Sequence, residues 1–284
     1  MVDYFSDKKS EEKFLRLYNI SHDEFYNSGL YDGAKIRQQY LCWKYLINIR
    51  DKKVPDIPVQ SKYEAVFIEF RCFPHMEFII RNALIKLGNK WSHTIICGRK
   101  NYNYMTEMCK DISSKINIIK LDVDNLQTYT AYNELLTSIS FWEMFHGEKI
   151  LIHQEDSCIF KTNIDDFLKF DYIGAPWDEA KQWVSESGLK IAVGNGGFSL
   201  RTRSIMLDVI KKYKRDPSDN EDVYFSRHIQ DNNLGLIPSV PEAYDFSSEG
   251  LVNRKSFGGH CYFNYDVESE ERFVKECVLT LYDK

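Results

Sequence analysis

The sequence predicts an α/β protein: a mainly parallel β-sheet flanked by helices, preceded by a helical extension. Three observations carry that expectation. Short, mostly apolar runs recur from residue 63 onward, segments of helical spacing separate them, and residues 1–52 show helical spacing without such runs. Strands buried on both faces lose the apolar/polar alternation of half-exposed ones, and strand–helix alternation feeds a parallel sheet with helices on its faces.

In the extension, Phe14, Leu15, Leu17 and Tyr18 form one apolar cluster, and Tyr40, Trp43 and Ile47 recur at three- and four-residue spacing beside Leu41 and Tyr45. Asn27-Ser28-Gly29 and Asp32-Gly33 read as turns. Asp51–Pro58, with two prolines and a charge run, reads as a linker. The expected division is 1–60 for extension and linker and 61–284 for the main domain. The extension packs on that domain or, alternatively, pairs two chains into a homo-oligomer.

The main domain opens with a strand over Ala65–Phe70. A helix over Met76–Leu87, stopped by Gly88, leads to a strand over Thr94–Cys97. A helix near 102–113 precedes a strand over Ile116–Ile119. Helical spacing over Tyr132–Phe145 leads through Gly147 to the strand Lys149–His153. The second half predicts a Gly-rich turn and strand within Ile191–Leu200, an amphipathic helix over Arg203–Tyr213 and a short one over Val223–Ile229.

Composition narrows the function. With 43% hydrophobic residues the chain buries a real core, and 37 Lys+Arg against 42 Asp+Glu leave a net charge of −5. That balance gives no pull toward nucleic acid or anionic membrane, so no nucleic-acid partner is expected. No apolar run approaches the ~20 residues that span a bilayer, and the first residues lack an export signal. Seven cysteines without a C-x-x-C pair suit a reducing compartment. A soluble, cytoplasmic protein is expected, in the host cytoplasm if the chain is viral.

In open parallel sheets ligands sit beyond the carboxyl ends of the strands, so polar residues just after each strand are the candidates. Gln154-Glu155-Asp156-Ser157 follows the strand ending at His153, and adjacent carboxylates there suit a hard divalent cation, Mn²⁺ or Mg²⁺; an acidic helix cap is the plainer reading. After the first strand come Glu69-Phe70-Arg71, Pro74-His75 and Arg81-Asn82. A carboxylate there accepts from a base or ribose and an arginine fork matches phosphate, against a loop ion pair as the alternative. Gly194-Asn195-Gly196-Gly197 brings backbone close to a ligand or simply makes a tight turn. Asn220-Glu221-Asp222-Val223 offers a general base or an ordinary cap. His260, flanked by glycines, suits metal or phosphate. Trp177 and Trp183, in a loop, suit stacking on sugars or core packing.

The order of these segments resembles a family of glycosyltransferase-like proteins found in fungi, bacteria and large DNA viruses. The resemblance covers about residues 63–262 and is carried by Asp171-Tyr172-Ile173-Gly174-Ala175-Pro176-Trp177 and Gly194-Asn195-Gly196-Gly197-Phe198-Ser199-Leu200-Arg201. It implies a GT-A-like (Rossmann-like) domain and transfer of a sugar from a nucleotide-sugar, a UDP-sugar being the expected donor, to a hydroxyl acceptor with a divalent cation. Gln154-Glu155-Asp156 stands at the D-x-D metal motif, with Gln154 replacing its first aspartate. Asp156, with Gln154 and His260, would hold the metal. Glu221-Asp222-Val223 resembles the E-D-V of fringe-like β-1,3-glycosyltransferases, which makes Asp222, with Glu221 beside it, the catalytic pair and implies inversion. Glu69, Arg71, Arg81, Glu155, Asn195, Gly196 and Gly197 would face the nucleotide-sugar, and Trp177 the acceptor. The Gln154 replacement also admits a degenerate member that binds nucleotide or glycan without turnover. A sugar-phosphate nucleotidyltransferase would need a Gly-rich, basic loop after the first strand, which Glu69–Phe73 does not supply.

Overall fold

The computed structural model describes residues 8–126, 128–249, 253, 255–261 and 271–281. The first seven residues, on which the export-signal expectation falls, and residues 127, 250–252, 254, 262–270 and 282–284 of the 61–284 span lie outside these. The amino-terminal helices are α1 (Lys8–Tyr18), α2 (His22–Asn27), α3 (Leu30–Lys44) and α4 (Leu46–Arg50). Ser21 caps α2 with a capping box: its hydroxyl accepts from Glu24 N–H, and Glu24 accepts from Ser21 N–H. Asp32-Gly33, expected as a turn, lies inside α3. Gly33 N–H donates to the Gly29 carbonyl at 2.9 Å, so the helical ladder runs through it. Of the expected apolar cluster Phe14 and Leu15 are buried and Leu17 is 53% exposed; of the second set Tyr40 and Leu41 are fully buried and Ile47 is 70% exposed. The segment after α4 is neither helix nor strand, as expected of a linker, yet Ile57 within it is fully buried.

The main domain follows as β1 (Tyr63–Ile68), α5 (Met76–Leu87), β2 (Ser92–Cys97), α6 (Tyr102–Lys110), β3 (Asn117–Lys120), α7 (Tyr129–Leu136), α8 (Ile139–Glu143) and β4 (Lys149–His153). Then come β5 (Ser157–Ile159), β6 (Tyr172–Ile173), α9 (Gln182–Glu186), β7 (Phe198–Thr202), α10 (Arg203–Lys212), α11 (Glu221–Asn232), α12 (Val240–Phe246), β8 (Ser247–Ser248) and β9 (Gly258–His260). The helix expected over 132–145 is two helices. Thr137 ends the first, Ser138 caps the second by accepting from Phe141 N–H, and Trp142 Nε1–H donates to the carbonyl of Leu136 across the corner. Trp183, expected in a loop, lies on α9.

Six strands form the central sheet in the order β3-β2-β1-β4-β7-β6. β1 pairs parallel with both β2 and β4, and β2 with β3, while β7 runs antiparallel to β4 and β6 antiparallel to β7. The α/β class with a mostly parallel, helix-flanked sheet is therefore as the sequence predicted. The chain leaves β1 toward β2 and β3, then returns to add β4 on the other side of β1. Loops from the carboxyl ends of β1 and β4 thus part in opposite directions and leave a crevice between them, the place where open α/β sheets bind ligands. A small second sheet, β5-β9-β8, continues from the loop after β4.

Apolar residues fill both faces of the central sheet. Leu41, Cys42, Leu46 and Ile49 of α3 and α4 share one buried cluster with Phe67, with Phe78 and Ile79 of α5, and with Phe273 and Cys277. α3 and α4 therefore pack part of their apolar surface against the main domain of their own chain. All seven cysteines are free thiols, six of them buried, consistent with use as small apolar residues.

Candidate active site

The acidic turn Gln154-Glu155-Asp156 sits at the carboxyl end of β4, beside the carboxyl end of β1. Backbone bonding shapes it: Ser157 Oγ accepts from Gln154 N–H and donates to the Gln154 carbonyl, which tightens the bend. Glu155 and Asp156 are both buried.

Pairing in the small sheet supplies the histidine. β5 runs antiparallel to β9 with Ser157 opposite His260, and Cys261 N–H donates to the Asp156 carbonyl. His260 Nε2 consequently lies 3.2 Å from Asp156 Oδ1, and its Nδ1 lies 2.8 Å from Glu249 Oε1. Burial pushes the imidazole toward neutrality, but Cys261, Asp156 and Glu249 outweigh it and hold its pKa well above the ordinary value. Burial likewise disfavours the Asp156 carboxylate, and His260 and Lys35 overcome this to hold it well below the usual range.

Gly197 packs so closely on His260 that an added Cβ would fall on the imidazole, and a Cβ at Gly196 would meet Glu221. These glycines are there for close approach. Asn195 folds the same turn, its Oδ1 accepting from Gly197 and Phe198 N–H while its Nδ2 donates to Glu249.

At the end of β1, Glu69 accepts from the N–H groups of Phe70 and Arg71 and from the Arg71 guanidinium. Arg71 Nη2 also reaches Glu155 at 3.1 Å, and its side chain is 45% exposed. Glu155 is further held by His75 Nε2 at 2.9 Å. The Tyr18 hydroxyl accepts from His75 N–H and lies 2.9 Å from His75 Nδ1, which fixes the ring with Nε2 facing Glu155.

Across the crevice α11 begins with Glu221 and Asp222. The buried Glu221 makes a two-pronged pair with the buried Arg201 of β7, at 2.7 and 3.1 Å. Asp222 is half-buried, its Oδ1 accepting from Val223 N–H. Desolvation and the adjacent Glu221 charge raise its carboxyl to about 7.

The acidic turn, the glycine turn, Glu69, Arg71, Glu221, Asp222 and His260 line one cavity of about 780 Å³, together with Lys35, Tyr132, Trp177, Trp183 and Glu249. That volume lies within the range of small-molecule sites. Of the residues singled out from the sequence, Gln154, Glu155, Asp156, Glu69, Arg71, Trp177, Asn195, Gly196, Gly197, Glu221, Asp222 and His260 all border it. Arg81 does not. It is buried on α5, paired with Glu77 and donating to the Asp111 carbonyl, because its helix turns it away from the crevice. Glu221, expected as a catalytic partner, has both oxygens committed to Arg201, and Glu69 has its carboxylate committed to Arg71. Sequence reasoning missed Lys35, Glu249 and Arg201. Arg201 closed a motif that drew attention to its glycines; Lys35 and Glu249 carried no signal, since only tertiary packing brings them in.

A divalent cation fits this donor set. Asp156 Oδ1 is buried and faces only His260 Nε2, at 3.2 Å, among the described residues; that separation matches the ~3 Å between neighbouring ligands on an octahedral ion with bonds of about 2.1 Å, which would take the place of the Nε2 proton. The Glu249 carboxylate on the far ring nitrogen is the support a ligating histidine usually has. Cys261 Sγ lies in the same cluster.

A family model described as "Protein of unknown function (DUF5672)" matches residues 115–260, just over half of the chain. The chain belongs to this family. In this DUF5672 protein the matched stretch runs from the start of β3 to His260 and contains the acidic turn, the glycine turn and α11. It leaves out Arg71 and Lys35. None of the curated proteins matches the sequence. Solved structures similar to it include the Pyrobaculum calidifontis mannosyltransferase PcManGT in complex with GDP-Man and Mn²⁺. That match has 11% identity and a TM-score of 0.39, over 69% of this chain and 59% of that one. Mouse xyloside xylosyltransferase 1 matches at 8% identity and a TM-score of 0.47, over 70% and 97%. The inositol-1-phosphate CTP transferase of T. maritima matches at 9% identity and a TM-score of 0.45, over 76% and 97%.

Proposed function

We propose that this protein transfers a sugar from a nucleotide-sugar, with UDP as the expected nucleotide, to a hydroxyl acceptor with inversion at the anomeric carbon. The observation that carries the reading is one cavity with the Asp156–His260 pair on one wall and Asp222, a carboxyl of raised pKa, on the other.

Asp156 and His260 would hold the cation, whose charge would neutralise the departing diphosphate. Arg71, fixed in orientation by Glu69, keeps Nη1 outside the hydrogen bonds above and offers it to phosphate. Asp222 accepts the proton of the acceptor hydroxyl as that oxygen attacks the anomeric carbon. The bond from that carbon to the diphosphate oxygen breaks, and its electron pair leaves with the nucleotide. A base poised near neutral pH suits this proton transfer. Glu221 acts on Asp222 through position and charge, since Arg201 occupies both its oxygens. Trp177 and Trp183, an edge-to-face pair 5.4 Å apart, present indole faces to a sugar.

The test is release of free nucleotide from a panel of UDP- and GDP-sugars, with Mn²⁺, with Mg²⁺ and with chelator, followed by assignment of the product anomer. Turnover with an inverted anomer supports the reading, and a retained anomer excludes Asp222 as the base of a single displacement. Binding without turnover across the panel would favour the non-catalytic reading. Lys35, seated on the same carboxylates, is the observation that speaks for it.

A further inference from the structure

Lys35 reaches the acidic turn from α3, outside the family-matched region. Its ammonium lies 2.7 Å from Glu155 Oε1 and 3.0 Å from Asp156 Oδ2, and its side chain is 25% exposed to the cavity. We infer that Lys35 is a diphosphate-binding residue: it bridges the two carboxylates in the free protein and turns to a phosphate oxygen when a diphosphate enters.

Three observations support this. Glu155 does not depend on Lys35, because Arg71 Nη2 shares the same oxygen at 3.1 Å and His75 holds the other at 2.9 Å. Lys35 can therefore leave Glu155 without orphaning a buried charge, the event that makes breaking a buried pair costly. On Asp156 it occupies Oδ2, whereas the oxygen facing His260 is Oδ1. Phosphate capture by the ammonium and cation binding at Oδ1 thus use different atoms. Finally, Lys35 and Arg71 converge on one oxygen from opposite elements, α3 and the end of β1. They form a two-cation rim on a cavity whose floor is acidic, and phosphate recruits such paired cationic donors. The extension is then part of the binding site.

The inference rests on the proposed function only in taking the ligand to be a diphosphate, so inorganic pyrophosphate is the probe. Its affinity for the full-length protein is measured by calorimetry in chelator, for wild type, Lys35→Ala and Lys35→Arg, alongside Mn²⁺ binding without pyrophosphate. The alanine variant should weaken pyrophosphate about tenfold or more, as loss of a charge-assisted hydrogen bond does. The arginine variant should stay within about threefold of wild type by the same measure. Mn²⁺ should bind Lys35→Ala at least as tightly as wild type, because a neighbouring positive charge is gone. Unchanged pyrophosphate affinity in Lys35→Ala overturns the inference. So does a wild type that fails to bind pyrophosphate, or a parallel loss of Mn²⁺ and pyrophosphate binding in both variants, which marks a merely structural lysine. Pyrophosphate binding that depends on Lys35, in a protein that turns over no nucleotide-sugar, would sink the proposed function and leave this inference standing.

Discussion

At the scale of single residues, Asp222 and Asp156 are two carboxylates that their surroundings push in opposite directions. Desolvation with Glu221 alongside lifts Asp222 to about 7, whereas His260 and Lys35 keep Asp156 ionised against its burial. A base must be deprotonated to act, so the rate of transfer is expected to rise with pH along a limb centred near 7. Asp222→Asn should lower turnover by about 10²–10⁴-fold, the usual contribution of a general base, with UDP affinity kept. Steady-state kinetics and calorimetry check both. Glu221→Gln removes the charge that raises Asp222 and frees Arg201, which lowers it, so the limb should move to lower pH. An unmoved limb in that variant would show that the titrating group is not Asp222. Asp156→Ala should abolish Mn²⁺-dependent UDP binding, as titration with and without the ion would show.

Elements set the geometry through their ends and edges. The β5–β9 ladder delivers His260 to Asp156, and the glycine turn before β7 makes room for it. Gly197→Ala should displace the imidazole and weaken Mn²⁺ binding at least tenfold while the fold, checked by circular dichroism, is retained. A variant binding the ion like wild type would remove His260 from the ligand set. The strands themselves carry a pH liability. His93 on β2 and His153 on β4 are buried, and desolvation depresses both pKa values from 6.5 to about 3. The unfolded chain then takes up protons that the folded one refuses. Their stability contribution is complete above pH 6.5 and is lost progressively as pH falls from 6.5 toward 3. At pH 5 each should cost about 2 kcal/mol, at roughly 1.4 kcal/mol per pKa unit. Urea midpoints at pH 7.5 and 5 should differ accordingly, and replacing both histidines by glutamine should flatten that dependence.

For the molecule as a whole, α3 and α4 share a core with the sheet, so extension and main domain are expected to unfold as one cooperative unit. Leu41 is fully buried among α5 and carboxyl-terminal residues, so Leu41→Ala should cost about 2–5 kcal/mol. Unfolding followed by helix signal and by tryptophan fluorescence should remain a single coincident transition. Separate transitions would mean that the extension folds on its own terms.

The strands were legible because burial on both faces leaves uninterrupted apolar runs, and the acidic turn because it directly follows one of them. Asp32-Gly33 misled because a turn signal in isolation is also tolerated in a helix whose neighbours pack. The 132–145 segment misled because an apolar stripe can continue across a serine-capped corner. Arg81 was adjacent in sequence to useful residues, but α5 turns it toward Glu77.

What the sequence determined by itself was the α/β class, the strand ends at which chemistry would gather, and the residue types present there. Those follow from local periodicity and from where a buried strand must stop. Tertiary structure alone decided which of these groups meet. The return of β4 to the far side of β1 opens the crevice, β5–β9 pairing sets His260 against Asp156, Arg201 claims Glu221, and α3 carries Lys35 to the acidic turn. Such meetings join residues far apart in the chain, and no local pattern records them.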